Sequence, residues 1–112
     1  MLKIVFNFRG NDYKGNRIPE SFHMLQEMAQ QIKKVHLKRV GDVDFVEGEV
    51  ELFDFSFYTS GKTEEQDIEN DDSLLNAINE AFQGPDESNL MIKILIKERL
   101  YGAQLLKNAQ AA

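Results

Sequence analysis

The chain contains no cysteine, which excludes a disulfide framework and thiolate chemistry. Histidine is scarce as well. His23 and His36 are the only two, and both fall on one expected helix, about 20 Å apart by helical rise. That separation excludes a zinc site or a catalytic triad shared between them. Each reads as a partly exposed helix residue. No apolar run reaches the ~20 residues that span a membrane. The N-terminus, Met1 to Arg9, alternates like a strand and has no signal-peptide core. A cytoplasmic protein without membrane contact is expected.

Several motifs are present only in fragments. Gly10 and Gly15 have phosphate-loop spacing, but Asn16 and Arg17 stand where that loop needs Lys and Ser or Thr. Gly61-Lys62-Thr63 carries the tail of the same motif, yet Ser56 replaces its first glycine and Glu64, Glu65 and Asp67 follow at once. The acidic run Glu64 to Asp72 is not a calcium loop. Counted from Asp67, Asp72 and Ile78 occupy the positions that require Gly and Glu. No catalytic residue, metal ligand or cofactor is expected, and the chain reads as a non-enzyme.

What is present is a globular composition. The hydrophobic share is 42% and the formal net charge is -6 over 112 residues. This suits one domain, 1-112, with a core over 1-97 and a tail over 98-112. The acidity disfavours unspecific nucleic-acid binding.

The stretch Glu49 to Tyr58 organises the rest. Phe53, Phe55 and Phe57 point one way, and Leu52, Asp54, Ser56 and Tyr58 point the other. Period two is the mark of a strand with two unlike faces. Residues 2 to 9 alternate in the same manner, with Leu2, Ile4, Phe6 and Phe8 on one side. Residues 10 to 17 read as a polar loop. Phe22, Leu25, Met28, Ile32 and Val35 then recur at helical spacing. A second strand is expected at about 39-46, with Glu47-Gly48 turning into the Phe-rich strand. Residues 60 to 71 read as a polar connection. Asp71 or Asp72 should cap a helix bearing Leu74, Leu75, Ile78, Ala81 and Phe82. Leu90 to Lys97 reads as the last strand and 98-110 as a tail helix.

The order β-α-β-β-α-β predicts an α+β, two-layer ferredoxin-like sandwich with a C-terminal helix. Strand order 4-1-3-2 then sets both helices on one face of an antiparallel sheet. The other face is open. Lys3, Arg9, Lys93 and Lys97 would form a basic spot there, among Val5, Leu52, Tyr58, Met91 and Leu95. With Leu100, Tyr101 and Leu105 of the tail, these apolar residues form the expected interaction surface. The expected function is protein binding, as a homodimer, an inhibitor or an immunity-type partner. Two alternatives stand beside it. One is single-stranded nucleic-acid binding on the open face, although the aromatics other than Tyr58 point into the core. The other is an anionic small molecule at the loop 10-17, near Arg9, Lys14 and Arg17.

Overall fold

A computed structural model of the chain describes residues 1–42 and 51–99. Seven elements follow in order: β1 (Lys3–Phe8), β2 (Asn11–Lys14), α1 (Phe22–Arg39), β3 (Phe53–Thr59), β4 (Gln66–Ile68), α2 (Asp71–Phe82) and β5 (Met91–Glu98). The expected turn at Glu47-Gly48, the tail helix and most of the strand at 39-46 lie outside the described residues. Arg39 itself ends α1. No described helix is long and apolar enough to cross a membrane.

The α+β class holds, but the ferredoxin-like strand order does not. The strands form one mixed sheet in the order β2-β1-β5-β3-β4. β5 lies parallel to β1 and antiparallel to β3. Strand β1 therefore neighbours β5, not the Phe-rich strand. Two hairpins, β1–β2 and β3–β4, are joined in the sheet through β5, and α1 links them along the chain. Such a fold does not by itself specify a function.

The difference begins at Arg9-Gly10. Both residues have positive φ, 49° and 79°, which is the two-residue hairpin turn whose twist matches the strands. β2 folds straight back on β1, with Phe8 opposite Asn11 and Val5 opposite Lys14. The expected crossover loop is therefore an edge strand.

Alternation places one apolar row per strand on a single face. Ile4, Phe6 and Phe8 of β1, Ile92, Ile94 and Ile96 of β5, and Phe53, Phe55 and Phe57 of β3 join Ile68 of β4 in one cluster. Helix α1 adds Leu25 and Ala29 to it, and α2 adds Leu74, Ala77, Ile78 and Ala81. Ser21 caps α1 by accepting from the Met24 N–H. The helix closes at Gly41 (φ 71°), where Gly41 N–H reaches Lys38 O and Asp42 N–H reaches Leu37 O. That paired arrangement is the usual glycine stop.

The helical stripes differ in detail from expectation. Val35 is exposed, while His36 is 5% exposed. His36 is thus a core residue rather than a partly exposed one. The 3.6-residue period runs Leu25, Ala29, His36 and Leu37, so Val35 falls outside the stripe. Leu75 and Phe82 of α2 are also exposed. Asn70, not Asp71 or Asp72, caps α2 in a box with Ser73. Asp71 Oδ1 instead accepts the Phe22 N–H at 2.6 Å, which joins the starts of the two helices.

One buried polar contact holds α1 to the sheet. β4 pairs with β3 only from Phe55 to Phe57. At Phe53 the side chain of Gln26 takes over. Its Nε2 donates to Phe53 O at 2.8 Å and its Oε1 accepts from Phe53 N–H at 2.9 Å. Gln26→Leu keeps the packing but leaves both backbone groups without partners. It should lower stability by about 2–4 kcal/mol, since each buried orphan costs about 1–3 kcal/mol. Urea unfolding measures this, and a change within error would show that water replaces the amide.

Candidate interaction surface

Both helices pack on one side of the sheet, and no described helix lies across the other side. Cross-strand register arranges that open face in rows. Lys14, Val5, Lys93 and Tyr58 form one row, and Asp12, Asn7, Leu95, Ser56 and Asp67 form the next. Lys97 stands beside Asp54 in a third, and Lys3 beside Met91 in a fourth. Val5, Tyr58, Met91 and Leu95 are all half-buried. They give the face an apolar centre.

The rim is charged, and Lys93, Lys97 and Arg99 pair there within the chain. Lys93 Nζ donates to Asp12 Oδ2 at 3.1 Å, and Asn7 Nδ2 donates to Asp12 Oδ1 at 2.8 Å. The Lys93 ammonium also lies 5.9 Å from the Tyr58 ring centroid. Lys97 donates to Glu65 at 3.0 Å and Arg99 to Asp54 at 2.9 Å. The hydrogen bond from Asn7, then that from Lys93, holds the Asp12 carboxyl below its ordinary range. The hydrogen bond to Asp12 raises Lys93 in turn. Lys97 likewise lowers Glu65, and the Ser56 hydroxyl adds a small effect in the same direction. Ser56 Oγ is fully buried and has no well-aligned hydrogen-bond partner among the described residues.

Four of the residues expected on this surface, Val5, Tyr58, Met91 and Leu95, are brought together. Leu52 precedes β3 and is exposed. Leu100, Tyr101 and Leu105 lie outside the described residues. The expected basic spot is not assembled. Lys93 and Lys97 are neutralised in place, and Arg9 leaves the face altogether. The hairpin turn carries Arg9 to the helix side, where its Nε and Nη2 bind Glu98 at 2.6 and 3.0 Å. Arg9 therefore does not join Lys14 and Arg17 in an anion site. The start of α1 offers little to an anion, because Asp71 and Ser21 already accept from Phe22 and Met24 N–H groups.

Sequence reasoning missed the ionic cluster around Glu98. Lys33 of α1 donates to Glu98 at 3.1 Å and also to Glu51. These residues come from separate elements, so no local spacing signals them. Burial pulls the Lys33 pKa down, but its hydrogen bonds to Glu51 and Glu98 outweigh this and the net shift is upward. Chiefly through Arg9, the Glu98 carboxyl is held below its usual range. Among the described residues, no three His, Asp or Glu side chains lie close enough to hold a metal ion.

No protein-family model matches this chain, and neither does any curated protein or solved structure.

The Glu98 shift has a signed consequence. A carboxyl lowered in the folded state adds stability that is complete above the ordinary glutamate range. That stability drains away as pH falls through this range toward the folded-state value. Glu98→Gln should therefore cost about 1 kcal/mol near neutral pH, a modest figure because the pair is partly exposed. The gap to wild type should close on acidification. Urea melts at neutral and acidic pH check this, and a gap that widens in acid contradicts it.

Proposed function

We propose that this is a small protein-binding module without catalytic activity, acting through the open face of its sheet. Its mode is protein–protein contact as a homodimer, an inhibitor or an immunity-type partner. One observation carries the reading. The face has an apolar centre of Val5, Tyr58, Met91 and Leu95, framed by the pairs Lys93–Asp12, Lys97–Glu65 and Arg99–Asp54. A partner covering this centre meets Lys93, Lys97 and Arg99 already paired and need not strip water from them as lone charges, which is the main cost of burying ions. The same pairing weighs against single-stranded nucleic acid. Lys93 and Lys97, which would steer phosphates, already hold carboxylates, and among the described residues Tyr58 is the aromatic on this face.

Val5→Glu combined with Leu95→Glu should abolish association through this face, at least tenfold in affinity, while circular dichroism stays native. Light scattering on the pure protein and pull-downs with the two forms read it out. A wild-type chain that is strictly monomeric and recovers no partner would sink the proposal. The tail extends the same reading. Arg99, the last described residue, pairs with Asp54 on the open face. Deleting residues 99 to 112 should leave a folded core and alter association. An unchanged oligomeric state and melting temperature would remove the tail from the surface.

A further inference from the structure

Charge pairing is uneven over this molecule. Arg9, Lys33, Lys62, Lys93, Lys97 and Arg99 each hold a carboxylate. Among the described residues, Lys3, Lys14 and Arg17 hold none. These three line two adjoining grooves that share the strap Lys14-Gly15-Asn16. One groove, of about 460 Å³, runs beside Leu2 and Ile4. The other, of about 240 Å³, lies between the strap and α1 and has Phe6, Met28 and Ile32 as its floor. The strap lies flat because its central residue is glycine. Gly15 N–H donates to Ile4 O at 2.8 Å, and a Cβ there would come within 2.9 Å of Ile4 and Phe6. The result is an apolar trough with a cationic rim, beside the edge strand β2.

The opposite side of the molecule carries the complement. α2 packs over β3, β4 and β5, at the end of the sheet furthest from β2. Its outer face exposes Leu75 at 59% and Phe82 at 47%. They lie two helical turns apart on one stripe, about 10 Å by helical rise. Asp72 precedes Leu75, and Glu69 stands just before the helix. Neither acid makes an ion pair among the described residues. This is an amphipathic helix face with acids at one end, the form that docks in an apolar groove.

We propose that the grooves beside β2 receive the outer face of α2 from a second copy of this chain. Leu75 and Phe82 fill the apolar floor, while Asp72 and Glu69 meet Lys14 and Arg17. The two surfaces differ, so the contact is head-to-tail and leaves one of each free, which builds a ring or an open row of copies. This surface adjoins the open sheet face at Lys3 and Lys14 but has a different apolar floor, Phe6, Met28 and Ile32 in place of Val5, Tyr58, Met91 and Leu95. The net charge of -6 opposes crowding of like chains, so the association is weak and needs high concentration.

The test uses two charge-reversed full chains, Lys14→Glu/Arg17→Glu and Glu69→Lys/Asp72→Lys, in sedimentation equilibrium up to millimolar concentration. The wild-type mass should rise with concentration. Each variant alone should lose this growth, weakened at least tenfold. An equimolar mixture of the two should recover it, because the acidic groove of one now meets the basic helix face of the other. Leu75→Ser/Phe82→Ser, at exposed positions that should tolerate it, should also lose growth while remaining folded. The chain with Val5→Glu and Leu95→Glu should keep it. A wild-type mass that never rises, reversed chains that associate like wild type, or a folded mixture that fails to recover would overturn the proposal. Growth lost on altering the open face alone would overturn it too, by placing the contact there.

Discussion

The sheet depends on its last strand. Among the described strands the β1–β2 and β3–β4 hairpins do not pair with each other, and β5 joins them, parallel to β1 and antiparallel to β3. Ile92, Ile94 and Ile96 complete the core row between the aromatics of β1 and β3. Side chains alternate with period two, so a slip of β5 by one residue would exchange those isoleucines for Lys93, Leu95 and Lys97. Lysines would then face the core, and the Asp12 and Glu65 pairs on the open face would be lost together. The register of one strand thus fixes the core and the candidate surface at once. Much of this pairing joins the two ends of the chain, the kind of non-local contact that slows folding.

Polar contacts on the helix side finish what the apolar rows begin. β4 is too short to cover all of β3, and Gln26 supplies the missing donor and acceptor from α1. On the neighbouring strand Glu98, the register partner of Phe53, gathers Arg9 and Lys33. The Arg9 contact also bears on the hairpin. A non-glycine residue at φ 49° sits in a sparsely populated region. Its guanidinium is held by Glu98, lies 5.1 Å from the Phe8 ring centroid, and its carbonyl accepts from Asn11 Nδ2. These contacts oppose the backbone cost, so a turn with the wrong residue at its first position is still made.

That turn shows where the sequence is legible and where it is not. Strong alternation revealed β1, β3 and β5, and helical spacing revealed α1 and α2, because each buries a regular apolar row. β2 and β4 were hidden. Asn11 to Lys14 and Gln66 to Ile68 are short, polar edge strands with few apolar residues to report a face. Arg-Gly is also not the Asn-Gly pair that usually marks such a hairpin. Without these strands the pattern of four strands sets the Phe-rich strand beside β1 and leaves β5 at an edge, whereas β5 lies between them. For the surface, side-chain direction along β1, β3 and β5 was enough to collect Val5, Tyr58, Met91 and Leu95. Their charge state was not readable. Whether Lys93 is a free cation depends on Asp12, and Asp12 reaches it only because β2 folds back beside β1.

The distribution of paired and unpaired charge separates the surfaces by what each demands of an occupant. On the open face Lys93, Lys97 and Arg99 are spent on acids of other segments. A partner there gains by covering apolar area and loses little through desolvation of ions. The margins differ. Lys14 and Arg17 beside β2, and Glu69 and Asp72 beside α2, make no ion pair among the described residues. Covering either with an uncharged surface would bury lone ions, which is costly. Each margin therefore favours an occupant that brings the opposite sign together with apolar side chains. The chain carries both kinds of margin, at opposite ends of one sheet. The strand order, with β2 at one edge and β4 at the other, is thus what sets the complementary margins apart, beyond reach of each other within one molecule and open to another.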